Sequence, residues 1–310
     1  MRAVRLESFG VENIRVEEVR DPGAGPGEVL IGTEAATINP ADQMMVSGAM
    51  ASFLPPSVTA PYTPGWDLAG RVLAAGDGVD PSLVGSRVVG FSPWIEHGHG
   101  TQASLVALPV ANVAAARDGL PAAHLTTLGL NGLTAWRAID ELRLAVGETL
   151  VVAGAGGSVG GFALELAVNR GVRVIAAVPE SDREYVTGLG ASDVAAQEAG
   201  DVAATVRGIV PGGADAFLDT TMSLGDAGVG SVRDAGRYVT TTNPPGSQRN
   251  ITVTKIYGGP NQAALAAMIR MAEAGRLHTP VAREYHASEA REAYEEFGSG
   301  PHRGRIVLTF

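Results

Sequence analysis

Hydrophobic positions along the chain change their period near residue 120. Before that point, short apolar runs such as Glu28-Val29-Leu30-Ile31-Gly32-Thr33, Leu68-Ala69-Gly70-Arg71-Val72-Leu73 and Ser86-Arg87-Val88-Val89-Gly90-Phe91 are bounded by Gly, Pro and Asp. That is the pattern of a β-barrel or sandwich. Residues 1–9 alternate apolar and polar as a strand does. Beyond it, 122–142 reads as helix, and strands are predicted over 149–153, 173–178, 193–196, 214–219 and 236–241 with helical stretches between them. Such alternation argues for a parallel, doubly wound sheet. An amphipathic helix over 262–275 follows, and a strand over 304–310 closes the chain without having to join that sheet.

The first βα unit carries the strongest local signal. Thr149-Leu150-Val151-Val152-Ala153 is a short buried strand, Gly154-Ala155-Gly156-Gly157 a glycine turn, and Ser158, Val159 and Gly160 open a helix. Val159, Ala163, Leu166 and Ala167 fall at helical spacing, which predicts an amphipathic helix. Glycines at 154, 157 and 160 let backbone pass close to a pyrophosphate, and a helix N-terminus offers it unpaired N–H groups. The alternative is an ordinary tight turn that binds nothing. The strand before it and the helix and second strand after it favour the dinucleotide turn.

Composition narrows the classes. The 310 residues suggest about two domains, and 45% apolar with 18% charged residues allows a sizeable core. A formal charge of −10 with no basic run makes nucleic acid and anionic membrane poor partners. No stretch reads as a bilayer span, and residues 1–9 lack the apolar centre of a signal peptide, so a cytoplasmic location is expected. The chain has no cysteine. Thiolate nucleophiles, disulfides and thiolate-bound zinc are therefore out of reach. His97-Gly98-His99 remains as a metal-like cluster, and on a glycine loop it reads as a solvent-exposed pair.

Several segments then occur in one order: Asn39-Pro40-Ala41-Asp42, Pro64-Gly65-Trp66-Asp67-Leu68-Ala69-Gly70, Val84-Gly85-Ser86-Arg87-Val88, Gly132-Leu133-Thr134-Ala135-Trp136, the glycine turn, Leu189-Gly190-Ala191 and Arg303-Gly304-Arg305-Ile306-Val307-Leu308. In these the chain resembles the medium-chain dehydrogenase/reductases, in their zinc-free, quinone-oxidoreductase-like branch. The resemblance implies an α/β protein with a GroES-like β-barrel catalytic domain over 1–121 and 276–310. A Rossmann domain over 122–275 would be inserted between them, with nicotinamide at the carboxyl ends of its strands. Zinc-dependent relatives place a cysteine where this chain has Asn39 and a His-Glu pair where it has Trp66-Asp67, and they add a four-cysteine lobe that is absent here. No metal is expected, so carbonyl polarisation falls to amides, hydroxyls or backbone.

The resemblance also implies roles. Asn39 and Thr134 would lie beside the nicotinamide, with Asn39 a candidate donor to the substrate oxygen and Tyr257 a weaker catalytic candidate. As a turn residue before Pro40, Asn39 has an equally open structural role. Met44, Trp94 and Asn131 are candidate substrate contacts, with Trp94 either an aromatic face for a planar substrate or a packing residue at the barrel rim. Met44-Met45 stands where relatives often carry a tyrosine, giving a flexible apolar wall suited to a hydrophobic enone. Asp219-Thr220-Thr221-Met222-Ser223 replaces a stretch usually richer in glycine.

Gly154, Gly157, Ser158, Val159 and Gly160 are the expected pyrophosphate contacts, and Thr241 and Asn243 lie on the loop after a later strand. Val178 stands where NAD-specific domains keep an acid for the ribose hydroxyl. Ser181 and Arg183 could then meet a 2′-phosphate, although Glu180 and Asp182 would repel it. NADPH is the expected cofactor, with NADH the alternative. Hydride transfer to a quinone or α,β-unsaturated carbonyl is the implied reaction, on a small hydrophobic substrate, in a homodimer. An enoyl reductase of a biosynthetic intermediate and a non-catalytic nucleotide-binding regulator remain the alternatives.

Overall fold

The computed structural model describes residues 1–196, 201–221, 224–300 and 302–310. The chain divides into two compact units, one of residues 1–133, 259–274 and 279–310, the other of residues 134–258 and 275–278. Segments 122–133 and 259–274 thus group with the first unit, whereas the resemblance implies a single Rossmann domain over 122–275.

The first unit begins with β1 (Arg2–Leu6) and β2 (Ile14–Glu18), an antiparallel pair. It continues through β3 (Glu28–Thr37), β4 (Asp67–Ala75), β5 (Arg87–Phe91), β6 (Leu105–Pro109) and β7 (Val113–Ala115). Val29, Ile31, Leu68, Val72, Val88, Val106 and Leu108 point into one core and are nearly inaccessible. Alternation of these residues with exposed ones is the period-2 signal that located the strands. After β3 the chain turns at Asn39 into a short helix, Pro40–Val46, with proline at its first position.

The second unit is built on β8 (Thr149–Ala153), β9 (Arg173–Val178), β10 (Asp193–Ala196), β11 (Ala214–Asp219), β12 (Val232–Thr240) and β13 (Thr252–Lys255). They form a parallel six-stranded sheet in the order β10-β9-β8-β11-β12-β13. Numbered within the sheet this is 3-2-1-4-5-6, the doubly wound dinucleotide order, with β8 at the point where the order reverses. Every residue of β8 is buried, as a central parallel strand requires. The helix Ser158–Asn169 is buried nearly all round, including Phe162, Leu164 and Leu166, so the expected amphipathic stripe is wider than a surface helix needs. Its one carboxylate, Glu165, accepts from the backbone N–H and ring nitrogen of His278.

The chain returns to the first unit with β14 (Val281–His286) and β15 (Arg305–Thr309). These complete a seven-stranded sheet, β14-β15-β3-β4-β5-β7, with β6 also paired to β3. The closing strand therefore sits outside the parallel sheet, as its position in the sequence suggested. No helix among the described residues is long and apolar enough to cross a membrane.

Candidate functional site

Cofactor candidates gather at one edge of the parallel sheet. Gly154 follows β8, Ser181 and Arg183 follow β9, and Thr241 and Asn243 follow β12, all at carboxyl ends of strands. Gly154 has φ +76°, and a Cβ there would stand 2.6 Å from Thr220 Oγ1, so the turn needs glycine on both grounds. A Cβ on Gly160 would lie 2.2 Å from the Gly154 carbonyl oxygen, which is how the helix comes so close to the turn. N–H groups of Ser158, Val159 and Gly160 lie in the first helical turn, where no carbonyl within the helix can reach them. A pyrophosphate fits this donor set.

Residues after β11 were not singled out as cofactor candidates by the sequence, yet they belong to the same edge. Thr220 Oγ1 donates to the Ala153 carbonyl at 2.7 Å, and the N–H and hydroxyl of Thr221 both donate to Asp219 Oδ1 at 2.8 Å. Tyr238 donates to the other oxygen of Asp219 at 3.0 Å. The unusual Asp219-Thr220-Thr221 run thus builds the loop that closes on the glycine turn; Met222 and Ser223 lie outside the described residues.

Arg183 is engaged in a surface ion pair. Its Nε and Nη2 grip both oxygens of Glu180, the second at 2.8 Å, on the exposed surface. The pair raises the Arg183 guanidinium pKa and lowers that of the Glu180 carboxyl. Asp182 is half-buried against the turn, its Oδ2 lying 2.3 Å from where a Cβ on Gly156 would stand. Ser181 and Asn243 are exposed, and Thr241, half-buried, donates its N–H to the Asp219 carbonyl at 3.1 Å. Thr134 is 7% exposed at the start of its helix. Tyr257 is 63% exposed, with Lys255 Nζ 5.2 Å from its ring centre.

The first unit holds a second polar assembly, wholly buried. Asp67, at the start of β4, accepts from the N–H of Thr37 at 3.2 Å, from the Thr37 hydroxyl, from Asn39 Nδ2 at 3.3 Å, from Thr126 Oγ1 at 3.4 Å and from the Leu130 N–H at 3.0 Å. Asp42 accepts from the backbone N–H groups of Asn39 and Gly65, each at 2.9 Å. Asn131 lies in a π-helical turn, Leu128–Gly132, and donates to Asn39 Oδ1 at 2.8 Å while accepting from Arg305. π-helical turns of this kind recur at functional sites. Burial drives the Asp42 carboxyl up to about 8, against the two N–H donors, and raises Asp67 against its own donors. Burial pulls Arg305 down to about 10, opposed by the negative charge of Asp67 and Asp42.

These contacts correct three expectations. Asn39 is fully buried, and its two amide hydrogens go to Thr37 Oγ1 and Asp67 Oδ2, so neither is left for a substrate oxygen. Trp94 is also fully buried, edge-on to Trp66 with centroids 6.2 Å apart, and offers no face to a planar substrate. Met45 is core, leaving Met44, 45% exposed, as the apolar contact from that pair. For Asn39 and Trp94 the sequence leaves the role open because a polar turn residue and a barrel-rim aromatic look alike whether they face in or out.

A zinc ion does not fit here. Asn39 has its amide fully engaged, Trp66 has no ligating atom, and the Asp67 oxygens are filled with donors. Among the described residues no three His, Asp or Glu side chains are grouped to hold a metal. His97 and His99 are exposed and stack with centroids 6.1 Å apart, as a loop pair would.

The chain is similar to known proteins along its whole length. Residues 25–122 match the family described as alcohol dehydrogenase GroES-like domain, and 189–308 match that described as zinc-binding dehydrogenase. Over 99% of its length the chain is 26% identical to the chloroplastic quinone-oxidoreductase QR1 of Triphysaria versicolor, of which it covers 98%. Over 92% of its length it is 27% identical to 14% of the phthioceranic/hydroxyphthioceranic acid synthase of Mycobacterium tuberculosis. The crystal structure of an NAD-dependent alcohol dehydrogenase superposes with a TM-score of 0.87 at 26% identity, covering 100% of both chains.

Proposed function

Because the chain belongs to the medium-chain dehydrogenase/reductase superfamily, in its quinone-oxidoreductase-like branch, we propose that this oxidoreductase is a zinc-independent, NADPH-dependent reductase of quinones or α,β-unsaturated carbonyls. One observation carries the reading. The glycine turn sits at the reversal point of a 3-2-1-4-5-6 parallel sheet, while Asn39, Trp66 and Asp67 of the barrel unit stand where zinc-dependent relatives would keep ligands.

When bound, the nicotinamide supplies hydride. Ser158, Val159 and Gly160 would hold the pyrophosphate through their backbone N–H groups, with Ser181 and Arg183 toward a 2′-phosphate. Arg183 must leave Glu180 to do so, a small cost for an exposed pair. Met44 supplies apolar surface for the acceptor. Hydride arriving at the electrophilic carbon sends an electron pair to the carbonyl oxygen, and a proton completes the reduction. Fixed N–H donors are the natural stabilisers of that oxygen.

Similarity to part of the phthioceranic/hydroxyphthioceranic acid synthase favours a second reading, reduction of an enoyl intermediate. We propose a homodimer, by its resemblance to related reductases; a stable monomer by sedimentation at micromolar concentration would contradict the pairing.

The test is NADPH oxidation against small quinones, short enones and enoyl thioesters, after dialysis against chelator. Turnover with one class assigns the substrate. Tight NADPH binding with no turnover in any class would identify a nucleotide-binding regulator instead.

A further inference from the structure

Four side chains of the first unit form one directed run of hydrogen bonds. Arg305 Nη2 donates to Asn131 Oδ1, Asn131 Nδ2 donates to Asn39 Oδ1 at 2.8 Å, and Asn39 Nδ2 donates to Asp67 Oδ2 at 3.3 Å. A guanidinium only donates, and both oxygens of Asp67 already accept backbone N–H groups, from Thr37 and Leu130, so the two ends dictate which way each amide faces. All three bonds point the same way, and each polarises the next. Both hydrogens of Asn39 are used. The second hydrogen on Asn131 Nδ2 has no acceptor among the described residues. All four side chains are buried, with exposure of 0% at Asp67 and Asn39, 2% at Asn131 and 8% at Arg305.

We propose that Asn131 presents the hydrogen that polarises the carbonyl oxygen of the substrate, and that Asp67 and Arg305 are positioning residues acting through Asn39 and Asn131. This rests on the reductase reading above. A buried N–H without an acceptor is unfavourable, and a carbonyl oxygen would satisfy it. Negative charge grows on that oxygen as hydride arrives, so a donor whose orientation is already fixed stabilises the transition state without rearranging. Inverting the Asn131 amide would turn its oxygen toward the substrate and its N–H toward the arginine. The guanidinium, which can only donate, opposes that state.

Two variants separate the roles. Asn131→Asp keeps an acceptor for Arg305 and removes the donor. Asp67→Asn keeps the shape but offers an N–H where Thr37 or Leu130 already donates, freeing Asn39 to invert. Turnover, KM, NADPH affinity and quinone binding to the cofactor-free protein by calorimetry are measured for each variant and for the pair. Asn131→Asp should lower kcat about a hundredfold, in the range for one preorganised donor, and weaken quinone binding less. Asp67→Asn should lower kcat about tenfold or more, with NADPH affinity within about threefold. The double variant should be no slower than Asn131→Asp alone, because Asp67 acts through that amide.

Losses that multiply, or wild-type turnover in Asn131→Asp, would overturn the inference. If Asp67→Asn does not fold, Arg305→Lys, which keeps charge but not the planar fork, replaces it in the cycle with the same expectation. Wild-type protein without turnover on any acceptor would defeat the reductase reading separately. Calorimetry then decides alone: quinone affinity equal in wild type and Asn131→Asp would overturn the role of Asn131.

Discussion

Trp94 meets Trp66 edge to face, ring centroids 6.2 Å apart and planes at 65°, inside the first unit. Trp94 is 0% exposed. Its ring is therefore core packing, and Trp94→Ala should destabilise the protein by about 3–5 kcal/mol. Trp94→Phe should recover much of that, with KM for a planar acceptor unmoved. Denaturant unfolding beside steady-state kinetics checks both; a KM effect at intact stability would return Trp94 to the substrate.

Gly157 offers a cleaner probe of the pyrophosphate turn than its neighbours. Its φ is −86°, and a Cβ would reach only the Gly154 carbonyl oxygen at 3.4 Å, an ordinary contact. Gly157→Val should thus fold normally yet crowd a bound phosphate, weakening NADPH at least about a hundredfold, or about 2.7 kcal/mol. Calorimetry showing unchanged affinity in the folded variant would remove the turn from the cofactor site.

Cofactor choice turns on the segment after β9. NADPH should bind more tightly than NADH, since Val178 replaces the ribose-binding acid. Arg183→Ala should weaken NADPH about tenfold and leave NADH alone, because only the phosphate uses the guanidinium fork. Asp182→Asn should tighten NADPH by removing a carboxylate beside Gly156. Equal losses for both cofactors in Arg183→Ala would leave that residue as the surface partner of Glu180.

Asp42 sets a pH dependence of stability. Burial raises its carboxyl from 3.8 to about 8, so the folded state holds a proton that the unfolded chain releases. Stability from this group is complete below about pH 4 and falls as pH rises toward about 8. Asp42→Asn should flatten that decline. It should also lower stability at acid pH, since an amide cannot accept the N–H groups of both Asn39 and Gly65. Urea unfolding at a series of pH values measures both, and an unchanged slope would contradict the assignment.

Periodicity made most of the architecture readable. Strands β8 to β12 and the closing strand lie where alternation and apolar runs placed them, because burial on one or both faces leaves that imprint. Strands β13 and β14 leave no such imprint: Thr252–Lys255 and Val281–His286 are exposed or half-buried throughout, so no apolar run marks them. The polar network was half legible. Motif positions drew attention to Asn39 and Asn131, but no local pattern announces that residues 92 positions apart share a hydrogen bond. Nor does a Trp or Asn reveal from its neighbours whether it faces core or solvent. In the sequence Asp67 stands out only for the zinc ligand it replaces, and its role as an acceptor hub appears only once Thr37, Thr126 and Leu130 are brought around it.

The most direct measurement follows the label from NADPH deuterated at the transferable nicotinamide position, using chelator-dialysed protein and an enone acceptor. Zinc-independent hydride transfer predicts product carrying deuterium at its β-carbon, at a rate the chelator does not change. Product without the label, or activity lost on dialysis and restored by zinc, would contradict it.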